Sequence, residues 1–151
     1  MITYHTRSDI FTFPAGARAH GCNTRGAAGG LAGEVFRRFP EMAHVYRFAC
    51  DAGTYGAGDC LPFDTGDGWW YNLATQVNPG ADARVGLIIE SMSKAVAHAS
   101  EHNVATINVP LIGCGIGGLE WSGVRQALED NFGGYGIHLQ VVTQDSAFPE
   151  M

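Results

Sequence analysis

The chain alternates short apolar segments of strand length with longer segments in which apolar residues recur at helical spacing. Six short segments are bounded by glycine, proline or polar turns, which predicts β-strands. A seventh, Asp9–Phe13, is expected to stay extended until Pro14 and Gly16 turn the chain. The six predicted strands are Ile2–Thr6, Ala17–Asn23, Cys60–Phe63, Trp69–Thr75, Val104–Leu111 and Ile137–Thr143.

Four longer segments have one apolar face, which predicts amphipathic helices. The first starts near Leu31 and is ended by Pro40, and the fourth has Trp121 and Phe132 on its apolar face. The other two are expected over residues 42–49 and, as the longest helix, over residues 81–103. Because helices and strands alternate along the chain, we expect an α/β fold with helices on both faces of one sheet.

Composition narrows the class of protein. The 151 residues fit one domain, predicted over residues 1–151. The net charge is −6, and the nine basic residues are Lys94 and eight scattered arginines. Without a basic stripe, binding to nucleic acid or to a membrane surface is not expected. The four cysteines have no zinc-ligand spacing, so they are expected to be reduced thiols of a cytoplasmic protein that has no metal site.

Two glycine-rich loops, over residues 26–33 and 113–118, each follow a predicted strand and precede a predicted helix. Ligands of open α/β sheets bind at the carboxyl ends of strands, where such loops lie. Backbone N–H groups in glycine turns and at helix N-termini can hold an anion, so we expect a ligand here rather than two plain turns. The second loop also fits the pattern G-x-G-x-x-G, but it comes too late in the chain for a dinucleotide-binding unit.

Four segments together resemble the macro domain family, whose members bind ADP-ribose. They are Ser8-Asp9-Ile10, Ala19-His20-Gly21-Cys22-Asn23 with the glycine loop to Ala32, Asn72-Leu73-Ala74-Thr75, and the run from Val109 to Trp121. The resemblance extends over nearly the whole chain and implies a three-layer α/β/α fold with a central mixed sheet. The chain is most similar to the branch that contains ADP-ribose 1″-phosphate phosphatases, terminal ADP-ribose–protein glycohydrolases and DNA ADP-ribosyl glycohydrolase antitoxins.

The resemblance also implies binding roles, with no cofactor. Asp9 would accept a hydrogen bond from the adenine amino group, although an Asp that caps a turn is the alternative. Asn23 would contact the distal ribose, and an Asx-turn is its alternative. The other implied ligand-binding residues are Ile10, Cys22, Gly29, Gly30, Leu31, Ala32, Gln76, Gly113, Cys114, Gly115, Ile116 and Gly117.

Three activities remain open from the sequence. In the lysine-dependent glycohydrolases of this branch, a lysine follows the Thr that ends the strand segment Asn72–Thr75, and here that residue is Gln76. Lys94 lies inside a predicted helix, and an acid found in some relatives would fall at Gly117. The sequence therefore departs from that mechanism at both positions. The alternatives are a glycohydrolase that works without the lysine and a reader module, which binds ADP-ribose without turnover.

Phosphatase action on ADP-ribose 1″-phosphate is the preferred activity. His20 matches a histidine of the small phosphatases, and imidazole transfers protons near neutral pH. We expect His20 to activate a water or to protonate the departing oxygen, oriented by Asp82 or Asp67. The expected partners are ADP-ribose, its 1″-phosphate and ADP-ribosylated macromolecules.

Overall fold

The computed structural model describes residues 1–14 and 16–149, and its centre is a six-stranded mixed sheet. The strand order is β1-β6-β5-β2-β4-β3; the pair β3–β4 is antiparallel and all other neighbours are parallel. The predicted single domain also includes residues 15, 150 and 151, which lie outside the described residues. The strands are β1 (Ile2–His5), β2 (Ala17–Cys22), β3 (Cys60–Asp64), β4 (Trp69–Ala74), β5 (Thr106–Val109) and β6 (His138–Val142).

Helices cover both faces of the sheet, as expected for the three-layer α/β/α class. One face carries α1 (Gly30–Arg38) and α2 (Pro40–Ala52), and the other carries α3 (Val85–Glu101) and α4 (Trp121–Phe132). Successive side chains of β4 point to opposite faces of the sheet and so enter different cores. Trp70 packs with α1 and α2, whereas Tyr71 packs with α3 and α4.

Two predicted elements differ from the structure. Residues 9–13 form a turn and not a strand, because the carbonyl of Asp9 accepts the N–H groups of Thr12 and Phe13. The longest helix begins at Val85 rather than at residue 81. The preceding residues are held by distant partners: the Ala83 N–H donates to Gly117 O and the Arg84 N–H to Thr75 O. Both differences lie at the edge of the sheet where the glycine loops meet.

Candidate functional site

The candidate site lies at the carboxyl ends of the parallel strands. The loops after β1, β2, β4, β5 and β6 meet there and enclose two cavities. We call them the Gln76 cavity, of about 380 Å³, and the Asp9 cavity, of about 330 Å³. Leu31 lines both, so the two cavities are neighbours, and we call the pair of them the cleft.

Asn23 holds the first glycine loop in shape. Its side-chain oxygen accepts the Arg25 N–H at 2.9 Å, and its amide nitrogen donates to Ala27 O at 2.8 Å. From α2 below, the Tyr46 hydroxyl donates to Asn23 O at 2.7 Å. The Asx-turn is therefore present, and Asn23 also lines the Gln76 cavity. The supporting role of Tyr46 was missed, because its helical spacing indicates only a core residue.

Gln76 stands at the position where the resemblance to lysine-dependent glycohydrolases implies a nucleophile. Its amide nitrogen donates to Asn78 O at 2.6 Å and to Gly80 O at 2.8 Å, which closes the loop after β4 on itself. Because both N–H groups are used, the side-chain oxygen remains as an acceptor, and it has no hydrogen-bond partner among the described residues. Gln76 is 9% exposed and lines the cavity.

Two sets of backbone N–H groups lie at the cleft without a protein acceptor among the described residues. One belongs to the start of α1, whose N-cap Gly29 supplies no side-chain bond and whose first turn has no acid. The other is the run Gly115, Ile116 and Gly117. Ile116 brings the two loops together, since a Cβ on Gly30 would lie 3.0 Å from its Cδ1. The arrangement suits an anion between the loops.

The glycines of the second loop have different structural needs. Gly113 has φ +76°, and a Cβ there would lie 2.8 Å from Ile88 Cδ1. A Cβ on Gly117 would lie 2.7 Å from Gly113 O. At Gly115 φ is not in the left-handed region and a Cβ would meet nothing within 4 Å. The fold therefore needs glycine at Gly113 and Gly117, whereas Gly115 leaves open space at the cleft.

The Asp9 cavity is lined by Asp9, Ile10 and Leu111, with the carboxylates of Glu34 and Asp145 near its rim. One carboxylate oxygen of Asp9 accepts the Phe11 N–H at 2.9 Å, so the turn-capping role is present. The second oxygen makes no hydrogen bond with the described residues, which leaves an acceptor for a ligand.

His20 is not at the cleft, which corrects the prediction that it transfers protons there. Its side chain is fully buried on the α1 and α2 face of the sheet, edge-on to Phe36 and Trp70. Burial lowers the pKa of His20 to about 4, although a hydrogen bond to Asn72 opposes the shift. A residue two positions before the end of β2 lies beneath the floor of the cleft, so the imidazole reaches neither water nor a ligand there.

The acids proposed to orient His20 are also elsewhere. Asp82 accepts the Asn78 N–H at 2.9 Å, a bond that holds its pKa below the usual range, and it has no contact with His20. Asp67 lies in the exposed turn between β3 and β4. Lys94 bonds Asp59 at 2.8 Å on the outer face of α3, as expected of a surface charge.

The remaining predicted residues divide between cavities. Cys22, Gly29, Gly30, Leu31, Ala32, Ile116 and Gly117 line the Gln76 cavity, while Cys114 and Gly115 line a third cavity beside it. Burial raises the pKa of the Cys22 thiol well above its usual range, and that of Cys114 to about 11. Both thiols are therefore protonated at neutral pH and do not act as thiolate nucleophiles. The lining is completed by five residues that were not predicted as site residues: Gly21, Ala27, Ala28, Pro79 and Gly80.

The described residues contain neither a cluster of metal ligands nor a helix able to span a membrane. No group of three or more His, Cys, Asp or Glu side chains among them is arranged to hold a metal ion. Over residues 1–14 and 16–149, none of the helices has the length and apolar character needed to cross a bilayer.

The fold and the two glycine loops define an α/β domain built to hold an anionic ligand at the ends of its strands. A family model described as the macro domain matches residues 19–128, and the chain therefore belongs to the macro domain family.

Similar proteins include two kinds of hydrolase. The chain is 33% identical over 137 residues to the DNA ADP-ribosyl glycohydrolase of Mycobacterium tuberculosis, a match that covers 87% of this chain and 39% of that protein. It is 29% identical over 146 residues to the ADP-ribose 1″-phosphate phosphatase of Candida albicans, covering 86% and 93% of the two chains. This chain thus spans well under two thirds of the mycobacterial protein.

Among solved structures, the macrodomain of Mycobacterium tuberculosis DarG aligns with a TM-score of 0.85 at 29% identity. The alignment covers 95% of this chain and 97% of that one. The macrodomain of Thermus aquaticus DarG aligns with a TM-score of 0.83 at 25% identity, covering 94% and 97%.

Proposed function

We propose that this macro domain binds an ADP-ribose group along the cleft, with adenine in the Asp9 cavity and the distal ribose in the Gln76 cavity. The observation that carries the proposal is the pair of unpartnered N–H sets, at the start of α1 and over residues 115–117, between two cavities that share Leu31. In this proposal a diphosphate accepts from both sets of donors, and its two ends are directed to the two cavities.

The polar groups of each cavity support the orientation. Asp9 offers an acceptor, which suits the amino group of adenine. Asn23 and Gln76 are the amide side chains of the other cavity, whose described lining has no charged side chain. Neutral amides suit ribose hydroxyls, and the backbone N–H groups bind the diphosphate without a lysine or arginine.

Calorimetry on the purified chain tests the binding. ADP-ribose is expected to bind far more tightly than AMP or ribose 5-phosphate, because each of these fills only one part of the cleft. The variant Asp9→Asn keeps the cap on Phe11 through its side-chain oxygen but replaces the second acceptor with a donor. It is expected to bind the hypoxanthine analogue of ADP-ribose, whose exocyclic oxygen accepts where adenine carries its amino group, more tightly than ADP-ribose itself. Equal affinities of this variant for the two ligands would contradict the placement of adenine in the Asp9 cavity.

Hydrolysis at C1″ of the distal ribose is the second function that we propose, because the chain resembles hydrolases of both kinds over most of its length. The phosphatase is the preferred form, since Gln76 stands where a glycohydrolase needs lysine. His20 and Asp82 do not contribute to this proposal in the positions described above. In the phosphatase form, Asn23 and Gln76 would orient the ribose and the attacking water, and neither amide moves a proton near neutral pH. A phosphate oxygen of the substrate would take the proton of that water as the bond between phosphorus and the C1″ oxygen breaks, which releases inorganic phosphate and ADP-ribose.

One incubation series separates these activities. ADP-ribose 1″-phosphate, ADP-ribosylated protein and ADP-ribosylated DNA are each incubated with the chain, and released phosphate and ADP-ribose are measured. Phosphate release alone would support the phosphatase. Release of ADP-ribose from either conjugate would instead support a glycohydrolase that works without lysine. Tight binding of ADP-ribose without release of either product would indicate a reader module, which binds ADP-ribose without turnover.

A further inference from the structure

Three arginines that are far apart in the sequence are gathered by the fold around the first glycine loop. We call Arg25, Arg37 and Arg47 the arginine rim. Arg25 directly precedes the loop, and all three residues are exposed. At the ends of the loop, a Cβ on Gly26 would lie 3.9 Å from Arg47 Cγ, and a Cβ on Gly33 would lie 3.4 Å from Arg37 Nη1. The outer side of the loop therefore carries positive charge.

The charges of the arginine rim are not neutralised by carboxylates. None of the three arginines forms an ion pair with the described residues, whereas four of the other basic residues do. The paired residues are Arg38, Arg84, Lys94 and Arg125. Because the chain has a net charge of −6, an unpaired group of arginines is a local exception to its overall charge.

Arg25 is held where two loops border the Gln76 cavity. Its Nε donates to Asn78 Oδ1 at 3.2 Å, and the backbone N–H of Thr24 donates to Val77 O at 3.1 Å. These bonds join the loops after β2 and β4, both of which line the cavity. The terminal N–H groups of Arg25, on Nη1 and Nη2, have no acceptor among the described residues, so they are available to a ligand.

The direction in which a bound ligand would leave the cavity is given by burial, a step that rests on the proposed function. With the distal ribose in the Gln76 cavity, the buried residues Cys22 and Gln76 lie at its inner side. The exposed residues of the lining include Ala27 and Pro79, which belong to the two loops that Arg25 joins. A group attached at C1″ thus extends toward Arg25.

We propose that the arginine rim binds a phosphate group carried on the substituent at C1″ of the distal ribose. A guanidinium group donates two parallel N–H bonds to a phosphate, which suits the free end of Arg25. Two kinds of ligand have such a phosphate. One is the 1″-phosphate itself, and the other is a nucleic-acid strand joined to C1″, whose further phosphates would reach Arg37 and Arg47. The uncharged cavity binds the sugar, and the rim selects for the phosphate.

Binding of three ligands that the protein does not hydrolyse tests the proposal. They are ADP-ribose, its 1″-methylenephosphonate, and ADP-ribose joined through a carbon linker at C1″ to a short DNA strand. Both phosphate-bearing ligands are expected to bind about tenfold more tightly than ADP-ribose at low salt, as charge-assisted hydrogen bonds at an exposed arginine would give. This gain is expected to shrink as salt is added, since exposed charges are screened.

The pattern of gains identifies the source of the phosphate. A gain for the phosphonate supports a 1″-phosphate, and a gain for the strand alone supports nucleic acid. No gain for either ligand, or a gain that does not respond to salt, would overturn the proposal. Tight binding of ADP-ribose without any gain contradicts the rim and leaves the proposed function intact. If ADP-ribose itself does not bind, the proposed function fails first.

The variant Arg25→Gln removes the charge and keeps a polar side chain. Its affinities for the phosphate-bearing ligands, each divided by its affinity for ADP-ribose, are expected to fall to about one. Arg125→Gln makes the same change of charge on α4, on the opposite face of the sheet, and is expected to keep the wild-type ratios. Thermal unfolding shows whether both variants fold. A ratio that survives in Arg25→Gln would contradict the role of Arg25.

The remaining rim residues are tested by the double variant Arg37→Gln with Arg47→Gln. Only the ratio for the strand is expected to fall, because a phosphate bonded directly to C1″ lies beside Arg25. A strand ratio equal to that of the wild type would exclude Arg37 and Arg47 from the site.

Discussion

The ring nitrogen Nε2 of His20 lies 2.6 Å from the side-chain oxygen of Asn72, its register partner on β4. The Asn72 amide nitrogen donates to Leu61 O at 2.9 Å, which identifies the atom facing His20 as the oxygen. Nε2 must therefore carry the proton, and Nδ1 is the bare nitrogen of a neutral imidazole. This pair cross-links β2 and β4 beneath the cleft, so His20 supports the floor of the site.

We predict that folding stability falls as the pH falls from about 6.5 to about 4, and that His20 contributes to the loss. Burial lowers its pKa to about 4 in the folded state, so the unfolded chain binds more protons in this window. The contribution is about 3 kcal/mol, fully present above pH 6.5. Urea unfolding at several pH values measures it. His20→Asn is expected to flatten the slope, and His44→Asn, at an exposed position, is the control. An unchanged slope in His20→Asn would show that His20 is not the group responsible.

Gly30→Ala is predicted to weaken ADP-ribose binding. The new Cβ would lie 3.0 Å from Ile116 Cδ1, at a residue with φ +53°, so the Ile116 side chain must shift where the two loops meet. Gly53→Ala is the matched control, because Gly53 has φ +73° but its Cβ would meet nothing within 4 Å. Both changes are expected to cost about 1 kcal/mol of stability through backbone strain. Only Gly30→Ala should reduce the affinity for ADP-ribose measured by calorimetry. Equal affinities of the two variants for ADP-ribose would argue against contact between the ligand and the loops.

Gly115→Ala and Gly117→Ala are predicted to separate ligand binding from folding. A Cβ on Gly115 has open space, so the variant should unfold at the wild-type denaturant midpoint and lose affinity because the methyl group enters the cleft. A Cβ on Gly117 would lie 2.7 Å from Gly113 O and 2.8 Å from Ala83 Cβ, which should destabilise the fold by about 1–3 kcal/mol. Full affinity in Gly115→Ala would mean that no ligand approaches residue 115.

Gln76→Lys is predicted to shift activity toward release of ADP-ribose from a protein or DNA conjugate. The lysine would reach the cavity that Gln76 lines, and so would provide the nucleophile that the resemblance places at this position. The same incubation series measures the change. Lys94→Ala is the control, because Lys94 lies on the outer face of α3 in an exposed pair with Asp59. A loss of activity in Lys94→Ala would contradict the assignment of Lys94 to the surface.

Sequence patterns predicted the layers and the glycine loops because these depend on local signals. The alternation of strands and helices predicted a sheet with helices on both faces, and four sequence segments in their order and spacing led to the macro domain. The side-chain positions at the site depend on long-range contacts instead. Nothing near residue 81 indicates that Ala83 bonds Gly117, so the start of α3 was placed four residues early.

The role of His20 shows a second limit. Alternation along β2 places Arg18, His20 and Cys22 on one face of the sheet, and Ala17 and Ala19 on the other. Alternation alone does not show how far below the end of the strand a ligand reaches. That depth depends on the loops after four other strands, β1, β4, β5 and β6. A resemblance to phosphatases therefore gave His20 a chemical role, whereas its position between Phe36 and Trp70 gives it a structural one.

Because the lining of the Gln76 cavity is uncharged, we expect the affinity for ADP-ribose to depend on salt concentration in an unusual way. Anion sites built from lysine and arginine weaken as salt screens the attraction, whereas N–H dipoles held against the ligand are screened much less. The net charge of −6 also repels a negatively charged nucleotide from a distance, and salt relieves that repulsion. Affinity for ADP-ribose should therefore stay level or rise slightly with ionic strength, opposite in sign to the usual behaviour of phosphate-binding proteins.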